Sequence, residues 1–376
     1  MTDMKIVAVE PYIVEVPLRQ PARGVHGVTA VQRSVLVRVA AGDGVDGWGD
    51  VDPTPGYSLV SAEDIYETVT RLAPVLAGLD PFNIRRVLSV MDERVAGGRE
   101  AKAAVEMALC DLKGRALSVP LHSLLGGRVK HAITLNAWIG TVPPAQAAAE
   151  AQQWLALGFA SAKIKLEGPD PEGLDRVAAV RDAVGEGLAL RVDFNESLPL
   201  ADAVSFIRKL EPFGLTLVEQ PVPREQIAAL AEIRRGIGIP LMADESVSGP
   251  PSLVEIIRRE AADLVKVKVM KQGGLTRTLA LVETAAAAGL GVVVGHGFGL
   301  TLSTLAEATV AAVSPAVLDG CEAVGPLKMA GDVVTAPAVL DHGVITLPDT
   351  PGLGAEVDRE ALARYQRRGP PTGRSA

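Results

Sequence analysis

From Ile133 to Val317, short β-branched or apolar runs alternate with Ala- and Leu-rich amphipathic stretches. The short runs suit buried strands, and the longer stretches carry apolar residues at the three- and four-residue spacing of a helix. Alternation of this kind makes parallel strands joined by crossover helices. Strands read near 133–139, 161–166, 188–194, 215–219, 239–243, 263–269, 290–295 and 317–321. Helices read near 144–157, 172–184, 200–210, 225–236, 251–260, 274–288 and 301–313. Eight strands with seven helices is the arithmetic of a β/α barrel whose last helix is missing or replaced, with a doubly wound open sheet as the alternative.

The flanks have a different texture. Lys5 to Val16 and Val31 to Val39 alternate in the manner of an antiparallel sheet, and helical spacing follows over 61–76, 83–95 and 101–115. Residues 1–127 therefore read as an α+β domain, and 128–325 as the β/α domain. The tail from 326 to 376 returns to short strands, Val333 to Thr335 and Val344 to Leu347, expected to pack back on the first domain, with disorder expected from Arg367 onward.

Composition narrows the partners. There are 37 Lys plus Arg against 45 Asp plus Glu, a net charge of −8, so the basic face that nucleic acid requires is not expected. Cys110 and Cys321 are too few for a disulfide framework and lack metal-ligand spacing. A reduced, cytoplasmic setting is expected. No run of 18 apolar residues and no apolar leader segment are found, so no membrane partner is expected.

In a parallel barrel, functional side chains stand where strands end. The second strand ends in Lys163-Ile-Lys165, the third in Asp193-Phe-Asn195, the fourth in Glu219-Gln-Pro221 and the fifth in Asp244-Glu245, while the sixth carries Lys268. Residues two apart in a strand share a face. Asp193, Glu219 and Asp244 thus put one carboxylate on each of three adjacent tips, and converging carboxylates repel unless a cation sits among them. A hard divalent ion, Mg²⁺ or else Mn²⁺, suits such oxygen ligands. Lys165 and Lys268 fall on either side of this cluster, with Lys163 as a neighbouring charge that disfavours a second ammonium. Lys266 and Lys271 read as solvated rim lysines.

These residues resemble the enolase superfamily, and within it the muconate-lactonizing subgroup. Further markers are Ala108-Leu-Cys-Asp111-Leu-Lys-Gly114, Leu124-Leu-Gly-Gly127, Lys268-Val-Met-Lys-Gln-Gly273-Gly274, Glu322-Ala-Val-Gly325-Pro326 and Pro351-Gly-Leu-Gly354. The resemblance spans nearly the whole chain. It implies a (β/α)7β TIM-type barrel over 128–325, closed by an α+β capping domain from 1–127 completed by 326–376. It implies Asp193, Glu219 and Asp244 as Mg²⁺ ligands, Lys165 and Lys268 as the acid/base pair, and Lys163, Asn195 and Glu245 as their supports. The chemistry implied is removal of a proton α to a carboxylate, with the metal stabilising the enediolate.

On that basis the chain is expected to be an isomerase acting on a small carboxylate, either muconate cycloisomerase-like or a racemase or epimerase of an amino-acid derivative. A dehydratase or syn-eliminating lyase is the alternative, with a non-catalytic binding barrel further off. A homo-oligomer is expected. Dipeptide epimerases of the subgroup carry Asp-x-Asp at strand eight, where this chain has Leu318-Asp-Gly-Cys-Glu322, and Gly47-Trp-Gly-Asp50 replaces the usual Gly-x-Gly-Glu. Glu322 resembles the Glu of the Glu-Leu-Phe-Gly-Pro stretch in muconate cycloisomerases and is expected at the substrate. His296 stands where the mandelate-racemase subgroup keeps a catalytic His, leaving a base, a substrate contact or a structural residue open. The loops Arg19–Thr29 and Asp52–Ser58 are expected to set specificity, with Arg19, Arg23 and His26 holding a second anionic group and Tyr57 capping an apolar one.

Overall fold

The computed structural model describes residues 4–24, 27–42 and 44–371. Strands β1 (Ile6–Gly24) and β2 (Gly27–Ala41) form a long antiparallel hairpin, and β3 (Asp46–Val51) pairs with β2. The Arg19–Thr29 segment is thus mainly hairpin rather than loop, with paired residues such as Ala22 and Thr29. Helices Ala62–Leu76, Ile84–Arg94 and Arg99–Leu117 follow. The first begins at a capping box, in which Ser61 accepts from the Asp64 N–H and Asp64 returns the contact to Ser61. The third is buried on nearly every side because it lies between β3 and the helices Val269–Gln272 and Leu275–Ala287.

Next come β4 (Ala132–Thr134), β5 (Ala137–Ile139), β6 (Ser161–Lys165), β7 (Ala189–Asp193), β8 (Leu217–Glu219), β9 (Leu241–Ala243), β10 (Leu264–Val267) and β11 (Gly291–Val294). β5 to β11 form one parallel sheet in sequence order. Its strands are almost wholly buried, as expected of a sheet with helices outside and packed side chains within. The intervening helices start and stop within two residues of the positions read from periodicity.

Two expected strands differ. The run at 133–139 is split, with β4 pairing antiparallel with β13 (Val344–Thr346) and β5 joining the parallel sheet. The run at 317–321 makes only isolated bridges, Val317 with Val292 and Cys321 with Leu135. Gly320, at φ 84°, interrupts its ladder. Even so, Leu318 N–H donates to Val292 O at 2.8 Å and Cys321 N–H to Thr134 O at 2.9 Å, so this segment ties both edges of the curled sheet together.

β12 (Leu340–Asp341) pairs with β13. The run Val333–Thr335 makes no strand, only a bridge from Val334 to Val357. β14 (Gln366–Arg368) adds to the edge of β1, contrary to the disorder expected from Arg367. Main-chain pairing is reinforced there by ion pairs from Arg367 to Glu15 and from Arg368 to Glu67. Among the described residues, no helix is long and apolar enough to cross a membrane.

Candidate active site

Parallel register puts the functional side chains at one level. Lys165 is paired with Asp193, and Asp193 with Glu219, across β6, β7 and β8, while Asp244 and Glu245 follow β9 directly. Gln220, at φ 34°, leaves its strand sharply, and its side-chain oxygen accepts from the Asp244 N–H at 2.9 Å and the Ser246 N–H at 3.2 Å. That bond ties the fourth tip to the fifth. Lys165, Asp193 and Asp244 of these tips line a cleft together with Trp138, Lys163, Lys266, Lys268, His296, Glu322 and Lys328. The β1–β2 hairpin reaches it through Ala22, Gly27 and Thr29.

Lys165 donates to Asp193 at 2.6 Å and to the Asn195 side-chain oxygen at 2.5 Å. Asn195 in turn donates to Glu245 at 2.8 Å, so Glu245 orients the amide that holds Lys165. Burial and the charges of Asp244 and Asp193 push Glu245 up to about 8, which keeps it protonated at neutral pH. Across the cleft, Lys268 donates to Asp244 at 2.8 Å and lies 3.6 Å from the centre of the Tyr57 ring. Burial, with Lys266 and Lys271 nearby, brings Lys268 down to about 8 even though Asp244 opposes the shift. An amine with that pKa exchanges protons readily near neutrality.

Lys163 remains an ammonium. Burial works against its charge, but Asp193, Glu219 and Glu322 hold its pKa well above the usual lysine range. Glu322, expected at the substrate, lines the cleft and is paired there with Lys163 at 2.6 Å and with Lys266, with Arg191 4.0 Å away. Lys266 corrects the solvated-rim expectation: it is 1% exposed and also holds Glu219 at 3.1 Å. Lys271, likewise no rim lysine, donates to Asp244 at 2.7 Å. The alternation that grouped Lys163 with Lys165 applies equally to Lys266 and Lys268, and was the available signal for Lys266.

Tyr57, expected to cap an apolar group, lines the cleft with Lys268 over its ring and its hydroxyl donating to Asp244 at 3.1 Å. His296 lines the cleft, and its Nε2 donates to the Asp52 carbonyl at 2.8 Å, which assigns the proton to that nitrogen. Burial and the charge of Lys268 bring it down to about 3, so it is neutral. Arg19 is absent from the described lining of the cleft. His26 and the Arg23 side chain lie outside the described residues.

Asp193, Glu219 and Asp244 are each no more than 1% exposed. Burial and the charge of Asp193 push Glu219 up to about 7, the sign of crowded negative charge that a hard cation relieves. This all-oxygen donor set fits such an ion. The expected convergence is looser than a ligand shell, however: among the described residues, no three acidic, His or Cys side chains gather as a metal cluster. The carboxylates are drawn to ammonium partners, Asp193 and Glu219 sharing Lys163 while Asp244 pairs with Lys268 and Lys271.

Comparison with known proteins agrees with this architecture. Residues 7–126 match the N-terminal domain of the mandelate racemase / muconate lactonizing enzyme family, and 146–361 match the enolase C-terminal domain-like model. Muconate cycloisomerase 1 of Rhodococcus opacus is 33% identical over 98% of this chain and 100% of its own length. The N-succinyl-L-Arg/Lys racemase of Bacillus cereus is 32% identical over 96% and 97%. The crystal structure of the muconate lactonizing enzyme from Pseudomonas fluorescens complexed with muconolactone superposes with a TM-score of 0.92 at 31% identity, covering 96% of this chain and 99% of that one. The chain belongs to the mandelate racemase / muconate lactonizing enzyme family of the enolase superfamily, within the muconate-lactonizing subgroup of isomerases.

Proposed function

We propose that the cleft isomerises a small carboxylate by moving the proton on its α-carbon, with Lys165 and Lys268 as the two proton-transfer groups. The observation that carries this is their placement: two lysines on strand ends β6 and β10, separated by three acid-tipped strands, both lining one cleft and each bonded to a tip carboxylate. Residues 1–127 with 326–376 would form the cap and 128–325 a (β/α)7β barrel.

Asp193, Glu219 and Asp244 would hold the divalent ion, Mg²⁺ or Mn²⁺. When bound, such an ion supplies Lewis-acid stabilisation of negative charge on a substrate carboxylate. The chain's own part is the proton. Neutral Lys268 accepts it from one face of the α-carbon, helped by a pKa near neutrality. Lys165, aimed by Asp193 and Asn195, serves the opposite face. Lys163, Lys266 and Glu322 fix the charge around them, while the Tyr57 ring confines Lys268.

Racemisation or epimerisation uses both lysines, whereas cycloisomerisation needs one to deliver a proton. The equal provision of a carboxylate partner to each favours the first reading. The relatives include both a muconate cycloisomerase and a racemase of succinylated amino acids. Chiral N-acyl amino acids and muconates should therefore be screened in D₂O with Mg²⁺, following deuterium incorporation by mass. Lys268→Ala should lose racemisation yet exchange the α-proton of one enantiomer, and Lys165→Ala should exchange the other. Exchange of both enantiomers by Lys268→Ala would overturn the two-sided arrangement. Chelation should abolish exchange, and Mg²⁺ should restore it; full activity in excess chelator would exclude the metal role.

A further inference from the structure

Five lysines line the cleft, and four of them have a carboxylate within ion-pair distance: Lys163, Lys165, Lys266 and Lys268. Lys328 is the fifth. Among the described residues it has no such partner. Its ammonium donates to the Gly297 carbonyl at 2.5 Å and lies 4.3 Å from the ring centres of both Trp138 and Phe298. A carbonyl and two π-faces orient a cation without neutralising it. Among the described residues, two of its three N–H donors have no acceptor, and the group is half-buried against the cleft wall.

Its place in the ring matters as much as its chemistry. The carboxylate tips occupy β7 to β9, with Lys165 on β6 and Lys268 after β10 flanking them. Lys328 ends the short helix Gly325–Lys328, Phe298 follows β11, and Trp138 is on β5. The three therefore meet at the seam between the first and last strands of the parallel sheet, on the side away from the acid tips. A substrate with its reacting carboxylate at the tips and its α-carbon between the lysines directs its remaining end toward this seam.

We propose that Lys328 binds a second carboxylate at the far end of the substrate, making the substrate class a dicarboxylate. The assignment rests on the proposed function only for the orientation of the ligand. It moves the second-anion role from Arg19, Arg23 and His26 to the barrel seam. Burial and the neighbouring charges of Lys165 and Lys163 hold the Lys328 pKa well below the ordinary lysine range, and a carboxylate bound beside it would raise it by favouring the ammonium.

The test compares N-succinylglycine with N-butyrylglycine, two ligands of similar shape that differ in the distal carboxylate. Calorimetry on the full chain with Mg²⁺ should show tighter binding of the succinyl ligand by about ten- to a hundredfold, the usual worth of a charged hydrogen bond. Lys328→Met should bring the ratio to within about threefold, and Lys328→Arg should restore most of it. Lys328→Gln serves if the Met variant fails to fold. An unchanged ratio in the Met or Gln variant, no preference in the parent, or no binding of either ligand would overturn the proposal. Exchange of the α-proton of N-succinylalanine in D₂O separates the two ideas. Exchange without a Lys328-dependent preference removes only this one, whereas the preference without exchange removes the assigned chemistry and leaves the carboxylate site.

Discussion

At the scale of single residues, the cleft is governed by charges that cannot leave. Lys266 is 1% exposed and held between Glu219 and Glu322, which are themselves 0% and 3% exposed. Replacing such an ion pair whole is often neutral, but removing one member leaves an unpaired buried charge. Lys266→Met should therefore lower the unfolding free energy by about 3–5 kcal/mol in urea titration. A loss below about 1 kcal/mol would mean that the acids neutralise each other by taking up a proton. The same reasoning applies to Asp244→Asn. Asp244 holds Lys268, Lys271 and the Tyr57 hydroxyl from a position 1% exposed, so the substitution removes stability as well as a proposed metal ligand. Activity loss in that variant is interpretable only beside its melting curve.

At the scale of elements, the central fact is how closely the helix Arg99–Leu117 lies on β3. A Cβ on Gly47 would stand 2.2 Å from Ala108 O, and one on Gly49 2.4 Å from Ala104 O, both main-chain atoms that cannot swing aside. The same helix sends Glu106 to cap Leu275–Ala287, accepting from the Leu275 and Thr276 N–H groups at 2.7 and 3.0 Å. Gly49→Ala should cost about 1–3 kcal/mol by overpacking, and move the β/α domain with it, since one helix serves both. A melting temperature within a degree of the parent would show that the sheet yields. Gly-Trp-Gly-Asp was legible as a motif, but its reason was not, because close approach depends on a helix some fifty residues later. The longer helices were legible, since 3.6-residue periodicity is a local signal, whereas short ones such as Gly325–Lys328 and Arg359–Tyr365 hold too few turns to show it. The segment at 317–321 was misread as a regular strand because one left-handed glycine breaks a ladder without changing the apolar pattern. Lys165, Lys268 and the three acid tips were legible from strand ends. Lys328 was not, because its environment is assembled from β5, the turn after β11 and a four-residue helix.

At the scale of the whole molecule, the two halves meet through the segment after β3. The Asp52 carbonyl accepts from His296, its carboxylate accepts from Ser303 at 2.7 Å, and Tyr57 reaches Asp244. This junction contains two groups whose protonation opposes each other. His296 falls from an ordinary 6.5 to about 3 in the folded chain, chiefly through burial, so between those values the unfolded chain binds the extra proton. Its contribution is complete above pH 6.5 and is lost as pH falls toward 3, by about 1.4 kcal/mol per unit. Asp52 rises from 3.8 to about 6, again chiefly by burial, although Ser34 and Ser303 pull it down. Its folded form takes the proton first, so its contribution is complete below pH 3.8 and is lost as pH rises through 6. Between pH 6 and 4 the two slopes are opposite and of similar size. His296→Gln, which keeps a side-chain N–H for the Asp52 carbonyl, should therefore gain stability relative to the parent as pH falls across that window. Asp52→Asn should lose it. Denaturant titrations of the three proteins at pH 7, 6, 5 and 4 would read the differences directly. Parallel curves for parent and His296→Gln would show that His296 takes a proton in the folded chain and that the junction opens in acid.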